Sequence, residues 1–308
     1  MTNILIFGHK NPDTYTICSA IVYNNLKRLQ GMDSEAVRLG ELNDETKYVL
    51  EYFNVSTPRL VEELKEGQHV ILVDHNEFQQ SANGIEKAVI REVIDHHRIA
   101  NFETAAPLYY RAEPLGCTAT ILKKIYEEQS VHIDKQMAGL MLSALISDSL
   151  LLKSPTCTLR DKVAAEELAK IAGVNLEEYG LAMLKAGAST KDKKAEELIT
   201  LDAKEFILGD DKLIVAQINT VDEKEVADRK EELANAINSE ISEKSLSAFV
   251  FVITNILTSN SEVLVLGAKQ DKVAAAFGKT LANDFMTLEG VVSRKKQVVP
   301  QITEEFTK

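Results

Sequence analysis

The chain of 308 residues lacks the sequence features that would point to secretion or to a membrane. Its three cysteines are odd in number and have no CxxC spacing, so free thiols in a reducing cytoplasm fit best. No apolar run approaches the roughly 20 residues that a membrane-spanning helix needs. The first residues lack the basic, apolar and small-residue regions of a signal peptide. We therefore predict a cytoplasmic location and no membrane partner.

Positive charge is also scarce. Lysine and arginine number 35 against 47 acidic residues, for a net charge of −12. Long nucleic acids and anionic membranes need positive surface, so neither is a predicted partner. A small anionic substrate stays possible, because bound metal ions can invert the local field.

What the first half does contain is an alternation of strand and helix patterns. Four short apolar runs read as strands, at NILIF (3–7), EAVRLG (35–40), HVILV (69–73) and REVI (91–94). A helix is predicted over TICSAIVYNNLKRLQ, with Gly31 as its stop. Continuous apolar strands separated by helices predict an α/β fold with a doubly wound, mainly parallel sheet.

The pattern changes beyond a small, charged stretch, GASTKDKKAEE (187–197), which is the candidate linker. Strand-like segments follow at DAKEFIL, KLIVAQIN, AFVFVIT and EVLVLG, with one helical pattern between the second and the third. A short polar turn joins the last two and predicts an antiparallel hairpin. We predict a smaller, mixed-sheet α/β domain here.

Three of the four N-terminal strands are followed by residues of the types that bind metals. These are His9 and Asp13, then Asp74 and His75, then Asp95, His96 and His97. The carboxyl ends of parallel strands share one edge of a sheet, where ligands bind in a crevice, so these residues are predicted to converge.

Asp148 is a further candidate for this crevice. Its helical spacing after Met141 and Ala144 places it on the buried face of a helix. Several carboxylates in one crevice are costly without a cation, and mixed imidazole and carboxylate ligands suit manganese, iron, cobalt or zinc better than calcium. Two such ions about 3.5–4 Å apart suit phosphoryl hydrolysis. Each element alone has a plainer interpretation, as a turn, a helix cap or a bonded buried carboxylate.

A basic segment, VVSRKKQVVP, stands out in this acidic chain. Arg294, Lys295 and Lys296 are consecutive, and they are either a solvated turn or a clamp for phosphate oxygens. Lys204 in LDAKEF is a weaker candidate of the same kind.

With these residues identified, the chain resembles the family II, manganese-dependent inorganic pyrophosphatases of the DHH phosphoesterase superfamily, over essentially its whole length. The segments that carry the resemblance are FGHKNPDT, ILVDHNE, EVIDHHRIANFETAAPLYYRAEP, GCTATIL, LMLSALISDSLLLKSPTCT, LDAKEF and GVVSRKKQVVP. The resemblance implies a DHH metal-binding catalytic domain at 1–187, a linker at 188–195 and a DHHA2-like substrate-binding domain at 196–308. It also implies a cytoplasmic homodimer that hydrolyses pyrophosphate to two phosphates and whose smaller domain closes over the substrate.

The resemblance further implies roles for individual residues. His9 and Asp13 would bind one metal ion, Asp74 would bridge two, and His96 and Asp148 would bind the other. The ions would be Mn²⁺ at two sites, with Co²⁺ as a substitute and Mg²⁺ accompanying the substrate. The residues that would hold the phosphates are His97, Lys204, Arg294 and Lys295.

One position departs from the family pattern. The family motif His-x-Asn-Pro-Asp-x-Asp ends here in Tyr15, where the family has an aspartate that binds the second metal. A neutral phenol, with a pKa near 10, is a poor metal ligand. We therefore expect a weakened second metal site and slower hydrolysis.

Two other functions remain open from the sequence. Another DHH phosphoesterase would act on short oligonucleotides or cyclic dinucleotides, but such proteins usually carry a glycine-rich motif in the second domain, and this chain has no Gly-Gly pair. A non-catalytic phosphate sensor would keep the fold with a broken metal site, and Tyr15 is the feature that favours it.

Overall fold

The computed structural model describes residues 3–188, 190 and 193–308. The chain divides into two compact units, which meet in sequence at Gly187 and Ala188. Of the predicted linker, residues 189, 191 and 192 lie outside the described residues. The domain boundaries predicted above remain predictions.

The first unit is built on a six-stranded sheet in which every neighbouring pair is parallel. Its spatial order is β3-β2-β1-β4-β5-β6. The strands are β1 (Ile4–Phe7), β2 (Ser34–Arg38), β3 (Arg59–Leu60), β4 (His69–Val73), β5 (Val89–Asp95) and β6 (Tyr109–Ala112). This order confirms the predicted doubly wound parallel sheet.

Both faces of the central strands are buried, which is why they read as continuous apolar runs. Leu5 and Phe7 of β1 face one side, and Ile6 faces the other with no exposed surface. The helices of this unit are α1 (Thr14–Leu29), α2 (Asp44–Tyr52), α3 (Thr118–Glu128), α4 (Lys135–Asp148), α5 (Leu159–Ala172) and α6 (Leu176–Ala188). Helix α1 packs against α3 and α4.

The strand order places a topological switch point between β1 and β4. From β1 the chain moves outward to β2 and β3, then returns to β4 on the other side of β1. In sheets of this kind a crevice opens at the carboxyl ends of the two strands that flank the reversal. The loops that follow Phe7 and Val73 both start there.

The second unit contains a five-stranded mixed sheet with the order β11-β10-β9-β8-β7. Only β8 and β9 pair in parallel, and the predicted antiparallel hairpin of β9 and β10 is confirmed. The strands are β7 (Ala203–Leu208), β8 (Asp211–Thr220), β9 (Ala248–Asn255), β10 (Asn260–Leu266) and β11 (Phe285–Leu288). All eight residues of β9 are buried, because apolar clusters cover both faces of the sheet.

Five α-helices accompany this sheet among the described residues. They are α7 (Ala195–Leu198), α8 (Glu223–Ala227), α9 (Lys230–Lys244), α10 (Gln270–Ala275) and α11 (Val299–Thr307). The single helix predicted between β8 and β9 is wrong: two helices lie there, separated at Asp228 and Arg229. In the described part of the chain, none of the helices has the length and apolar character needed to span a bilayer.

Candidate metal centre

The loop from β1 to α1 carries His9 and Asp13. Asp13 is the N-cap of α1: its Oδ1 accepts the backbone N–H of Thr16 at 3.0 Å, while its Oδ2 lies 3.1 Å from His9 Nε2. His9 Nδ1 donates to the Lys10 carbonyl at 2.8 Å, which turns Nε2 toward Asp13. Burial opposes protonation of His9, but the hydrogen bond and charge of Asp13 outweigh it and raise the pKa of His9 to about 9. The helix-cap and ligand interpretations of Asp13 are therefore compatible, since each uses a different oxygen.

Asp74 follows the last residue of β4 and is fully buried. Its backbone is left-handed (φ 60°), a conformation that aspartate tolerates better than most residues. Its Oδ2 accepts a hydrogen bond from the Thr16 hydroxyl at 2.8 Å, and its Oδ1 accepts one from the Thr118 hydroxyl at 2.7 Å. Burial and the charge of Asp13 raise the pKa of Asp74. The next residue, His75, is buried and bonded to Val73 and Ser81, and burial lowers its pKa to about 4.

At the end of β5, Asp95 forms hydrogen bonds with the two histidines that follow it. Its Oδ1 accepts from the backbone N–H groups of His96 and His97 and from His97 Nδ1, the last at 2.8 Å. Asn76 holds the other oxygen of Asp95 at 2.7 Å. The Asp95 hydrogen bond raises the pKa of His97. His96 instead donates from Nδ1 to the Leu115 carbonyl at 2.9 Å, which leaves Nε2 with its lone pair.

His96 Nε2 and Asp148 Oδ2 face each other across a gap that neither fills with a hydrogen bond. They lie 3.4 Å apart, and His96 Nε2 is 3.7 Å from Asp74 Oδ1. Both atoms are buried and have no hydrogen-bond partner among the described residues. Burial and the charge of Asp74 raise the pKa of Asp148 to about 7. Buried polar atoms are almost always satisfied, so two that are not, and that face one another, fit a cation.

Two groups of potential ligands converge in this unit, and they share Asp74. One consists of His9, Asp13 and Asp74, and the other of Asp74, His96 and His97. Within each group the ligand atoms lie within 4.8 Å of one another. Imidazole nitrogens with carboxylate oxygens form a donor set that suits manganese. The rings of His96 and His97 bond to different partners, but their centroids are only 4.2 Å apart. Both rings therefore lie at the second ligand group.

Tyr15 lies in the first turn of α1, half-buried beside these groups. Its ring meets that of His9 edge-on, with centroids 6.3 Å apart. Burial, together with the charge of Asp13 and a hydrogen bond to it, raises the pKa of the phenol well above its usual range. The side chain is therefore neutral at physiological pH, and it adds bulk but no negative charge.

In the second unit, the predicted phosphate-binding residues occur in different settings. Arg294 is buried: its Nη2 lies 2.9 Å from Asp202 Oδ1 and its Nη1 donates to the Val215 carbonyl at 3.0 Å. Its Nε has no hydrogen-bond partner within the described ranges. Lys295 is exposed beside a cavity of about 280 Å³ that Arg294 and Asp202 also line. Lys204 is exposed on β7.

Several residues around the centre carried no signal in the sequence. Thr16 and Thr118 are single hydroxyls in helical segments, and Asn76 lies in what reads as a polar turn. Cys117 is buried and donates a hydrogen bond to Asp148. Among these residues, only Thr118 had a possible signal, its position as the first residue of a helix directly after the N-cap Cys117.

Comparison with family models gives two matches. The N-terminal domain model of the DHH family matches residues 3–145, and the DHHA2 domain model matches residues 181–305.

Similar proteins match over nearly the full length. The Bacillus subtilis protein named "manganese-dependent inorganic pyrophosphatase" is 60% identical over 305 residues, which cover 99% of each chain. An Exiguobacterium protein named "probable manganese-dependent inorganic pyrophosphatase" is 62% identical and covered completely in both directions. Among solved structures, the Methanococcus jannaschii "putative family II inorganic pyrophosphatase" superposes with a TM-score of 0.64 at 38% identity, covering 99% of this chain and 100% of that one.

Proposed function

The chain belongs to the manganese-dependent, family II inorganic pyrophosphatases, and we propose that it hydrolyses pyrophosphate to two phosphates with Mn²⁺ as its cofactor. The observation that carries this proposal is the convergence of two ligand groups on one buried carboxylate, Asp74. A pair of cations sharing one carboxylate is an arrangement suited to metal-assisted hydrolysis of a phosphoanhydride.

In this proposal each ligand group holds one cation. His9, Asp13 and Asp74 form the first position. Asp74 and His96 of the second group form the second position, with Asp148 as a ligand in place of His97. The unpartnered Nε2 of His96 and Oδ2 of Asp148 support the second assignment. When bound, the ions would lower the pKa of a water to about 7 and would offset the charge on the phosphate oxygens.

The remaining residues position and neutralise the substrate. Asp95 fixes the ring of His97 through Nδ1, so Nε2 can donate a proton to a phosphate oxygen. Arg294, Lys295 and Lys204 of the second unit are donors for phosphate oxygens. For Arg294, the unpartnered Nε supports this role, while Asp202 and the Val215 carbonyl hold its other nitrogens in place.

Tyr15 limits this function. The family's aspartate at this position would supply a charged oxygen to the second cation, whereas Tyr15 offers a neutral hydroxyl engaged with Asp13. Its ring also takes space next to His9. The second position therefore binds Mn²⁺ more weakly than the first, and turnover is reduced.

The test measures Mn²⁺ affinity and phosphate release from pyrophosphate for the parent chain, Tyr15→Asp, Tyr15→Asn and Tyr15→Phe. We expect Tyr15→Asp to raise both the affinity at the weaker position and the turnover by about tenfold or more, because it restores an anionic ligand. Tyr15→Asn removes the bulk without adding charge, and Tyr15→Phe keeps the bulk. Neither should match Tyr15→Asp.

Two results would contradict the proposal. If Tyr15→Asp leaves affinity and turnover at the parent level, Tyr15 is tolerated and our account of it is wrong. If no variant releases phosphate in Mn²⁺, hydrolysis itself is the wrong reaction.

A phosphate sensor is the second candidate, and Tyr15 is the observation that favours it. A sensor would bind pyrophosphate without turnover even after Tyr15→Asp.

A substrate panel that also contains short oligonucleotides and cyclic dinucleotides would reveal a different phosphoesterase. The solution state and the location are part of the same proposal: we expect a homodimer, which light scattering on the purified chain would test, and a cytoplasmic location, which cell fractionation would test.

A further inference from the structure

Both oxygens of Asp74 are held by threonine hydroxyls that come from two different helices. Thr16 lies in the first turn of α1 and bonds Oδ2, while Thr118 begins α3 and bonds Oδ1. All three side chains are at most 1% exposed. These hydrogen bonds are sheltered from water, so they hold the carboxylate in one orientation.

Thr16 also links Asp74 to the other carboxylate of the first ligand group. Its backbone N–H donates to Asp13 Oδ1 while its hydroxyl donates to Asp74 Oδ2. A methyl group added at Gly8 would lie 2.2 Å from Thr16 Cγ2, so the β1–α1 turn closes tightly on this residue. The two carboxylates on one side and the backbone at Gly8 on the other thus restrict the position of Thr16.

An ionised carboxylate has about four lone-pair positions, two on each oxygen. One hydroxyl bonded to each oxygen leaves one position per oxygen available. A carboxylate shared by two cations requires one free lone-pair position on each oxygen, and these are the positions that the two hydroxyls leave.

We propose that Thr16 and Thr118 are positioning residues that orient Asp74 for two cations. This inference rests on the proposed metal-dependent function. The plainer interpretation is that the two hydroxyls only satisfy a buried carboxylate and contribute to stability. The two interpretations differ in whether removing a hydroxyl changes cation affinity or only the free energy of unfolding.

Helix α3 offers a matched control. Thr120, two residues after Thr118, is buried and donates its hydroxyl to the buried carboxylate of Asp161 at 2.6 Å. Asp161 belongs to neither ligand group. Thr118→Val and Thr120→Val therefore remove the same kind of hydrogen bond from the same helix, but only the first touches Asp74.

The experiment measures Mn²⁺ affinity by calorimetry, and thermal unfolding without metal, for Thr16→Val, Thr118→Val, Thr120→Val and the serine variants Thr16→Ser and Thr118→Ser. We expect Thr16→Val and Thr118→Val to weaken Mn²⁺ binding about tenfold or more, as loss of a residue behind a metal ligand commonly does. The serine variants keep a hydroxyl and should bind like the parent. Thr120→Val should shift unfolding by a similar amount to Thr118→Val and leave the affinity within about twofold of the parent.

The inference is overturned if both valine variants at positions 16 and 118 bind Mn²⁺ like the parent, or if Thr120→Val weakens binding equally. A parent chain that binds no Mn²⁺ overturns this inference and the proposed function together. A parent that binds Mn²⁺ and loses affinity in these variants, but never hydrolyses pyrophosphate, would overturn only the proposed function.

Discussion

At the scale of single residues, the candidate metal centre contains groups that must lose a proton before they can bind a cation. Burial opposes protonation of His9, but the hydrogen bond and charge of Asp13 raise its pKa to about 9, whereas burial and the charge of Asp74 raise the pKa of Asp148 to about 7. A histidine must be neutral and a carboxyl group ionised before either can bind a cation. Cation affinity at this centre should therefore depend on pH.

We expect about one proton to be released per Mn²⁺ bound to the first position at about pH 7.5, because His9 is protonated there and must lose its proton. The affinity should rise by about tenfold per pH unit toward pH 9, where His9 becomes neutral, and then level off. Below about pH 7, Asp148 also becomes protonated, so binding at the second position should fall as the pH decreases. Calorimetry in buffers with different ionisation enthalpies counts the protons.

His9→Asn is the matched variant, since it keeps a polar ligand atom but has no proton to lose. It should bind more weakly and with little proton release at the first position. Binding by the parent that releases no protons and is constant between about pH 6.5 and 8.5 would show that His9 is not a ligand.

At the scale of elements, the close approach of β1 to α1 determines where Thr16 lies. A side chain at Gly8 would collide with Thr16, just as one at Gly139 of α4 would lie 2.2 Å from the ring of Phe53. Both glycines permit tight packing, but only Gly8 lies next to the ligand groups. A comparison of variants at Gly8 and Gly139 therefore separates the effect of overpacking on stability from an effect on cation binding.

We expect Gly8→Ala and Gly139→Ala each to lower the free energy of unfolding by about 1–3 kcal/mol, because the added methyl group overpacks a buried contact. Gly8→Ala should also weaken Mn²⁺ binding, since the displaced Thr16 no longer holds Asp74 and Asp13. Chemical denaturation without metal and calorimetry with metal measure the two effects. Equal Mn²⁺ affinity in the two variants would contradict this account of the turn.

The elements also show what a sequence can and cannot reveal. Strand β4 was predicted with the bounds it has, because five consecutive apolar or weakly polar residues lie between turn signals. Strand β3 has two residues and β6 has an exposed first residue, so neither carries an apolar run. Helix α2 was missed although Asn43 caps it, because only three of its residues are buried.

The sequence likewise revealed only part of the candidate metal centre. Residues at strand ends were predicted to converge because a parallel sheet brings its carboxyl ends together, and the ligand groups do meet around Asp74. The hydroxyl of Thr118 and the pairing of Arg294 with Asp202, 92 residues away, depend on tertiary packing. No local pattern in the sequence encodes such contacts.

At the scale of the whole molecule, the two units carry different parts of the proposed chemistry. Both candidate cation groups found among the described residues belong to the unit that ends at Gly187. The basic segment Arg294–Val298 forms a π-helical turn in the other unit, which has its own apolar core. The net charge of −12 is therefore compatible with an anionic substrate, because bound cations would determine the local field in the first unit and basic side chains would do so in the second.

The most direct test of the central claim is manganese anomalous diffraction from crystals of the parent chain and of Tyr15→Asp, both grown with Mn²⁺. We predict one well-occupied peak coordinated by His9, Asp13 and Asp74 in the parent, with a weaker peak toward His96 and Asp148. In Tyr15→Asp both peaks should be well occupied and both should contact Asp74. Manganese that is absent from coordination distance of Asp74 in both crystals would contradict the account.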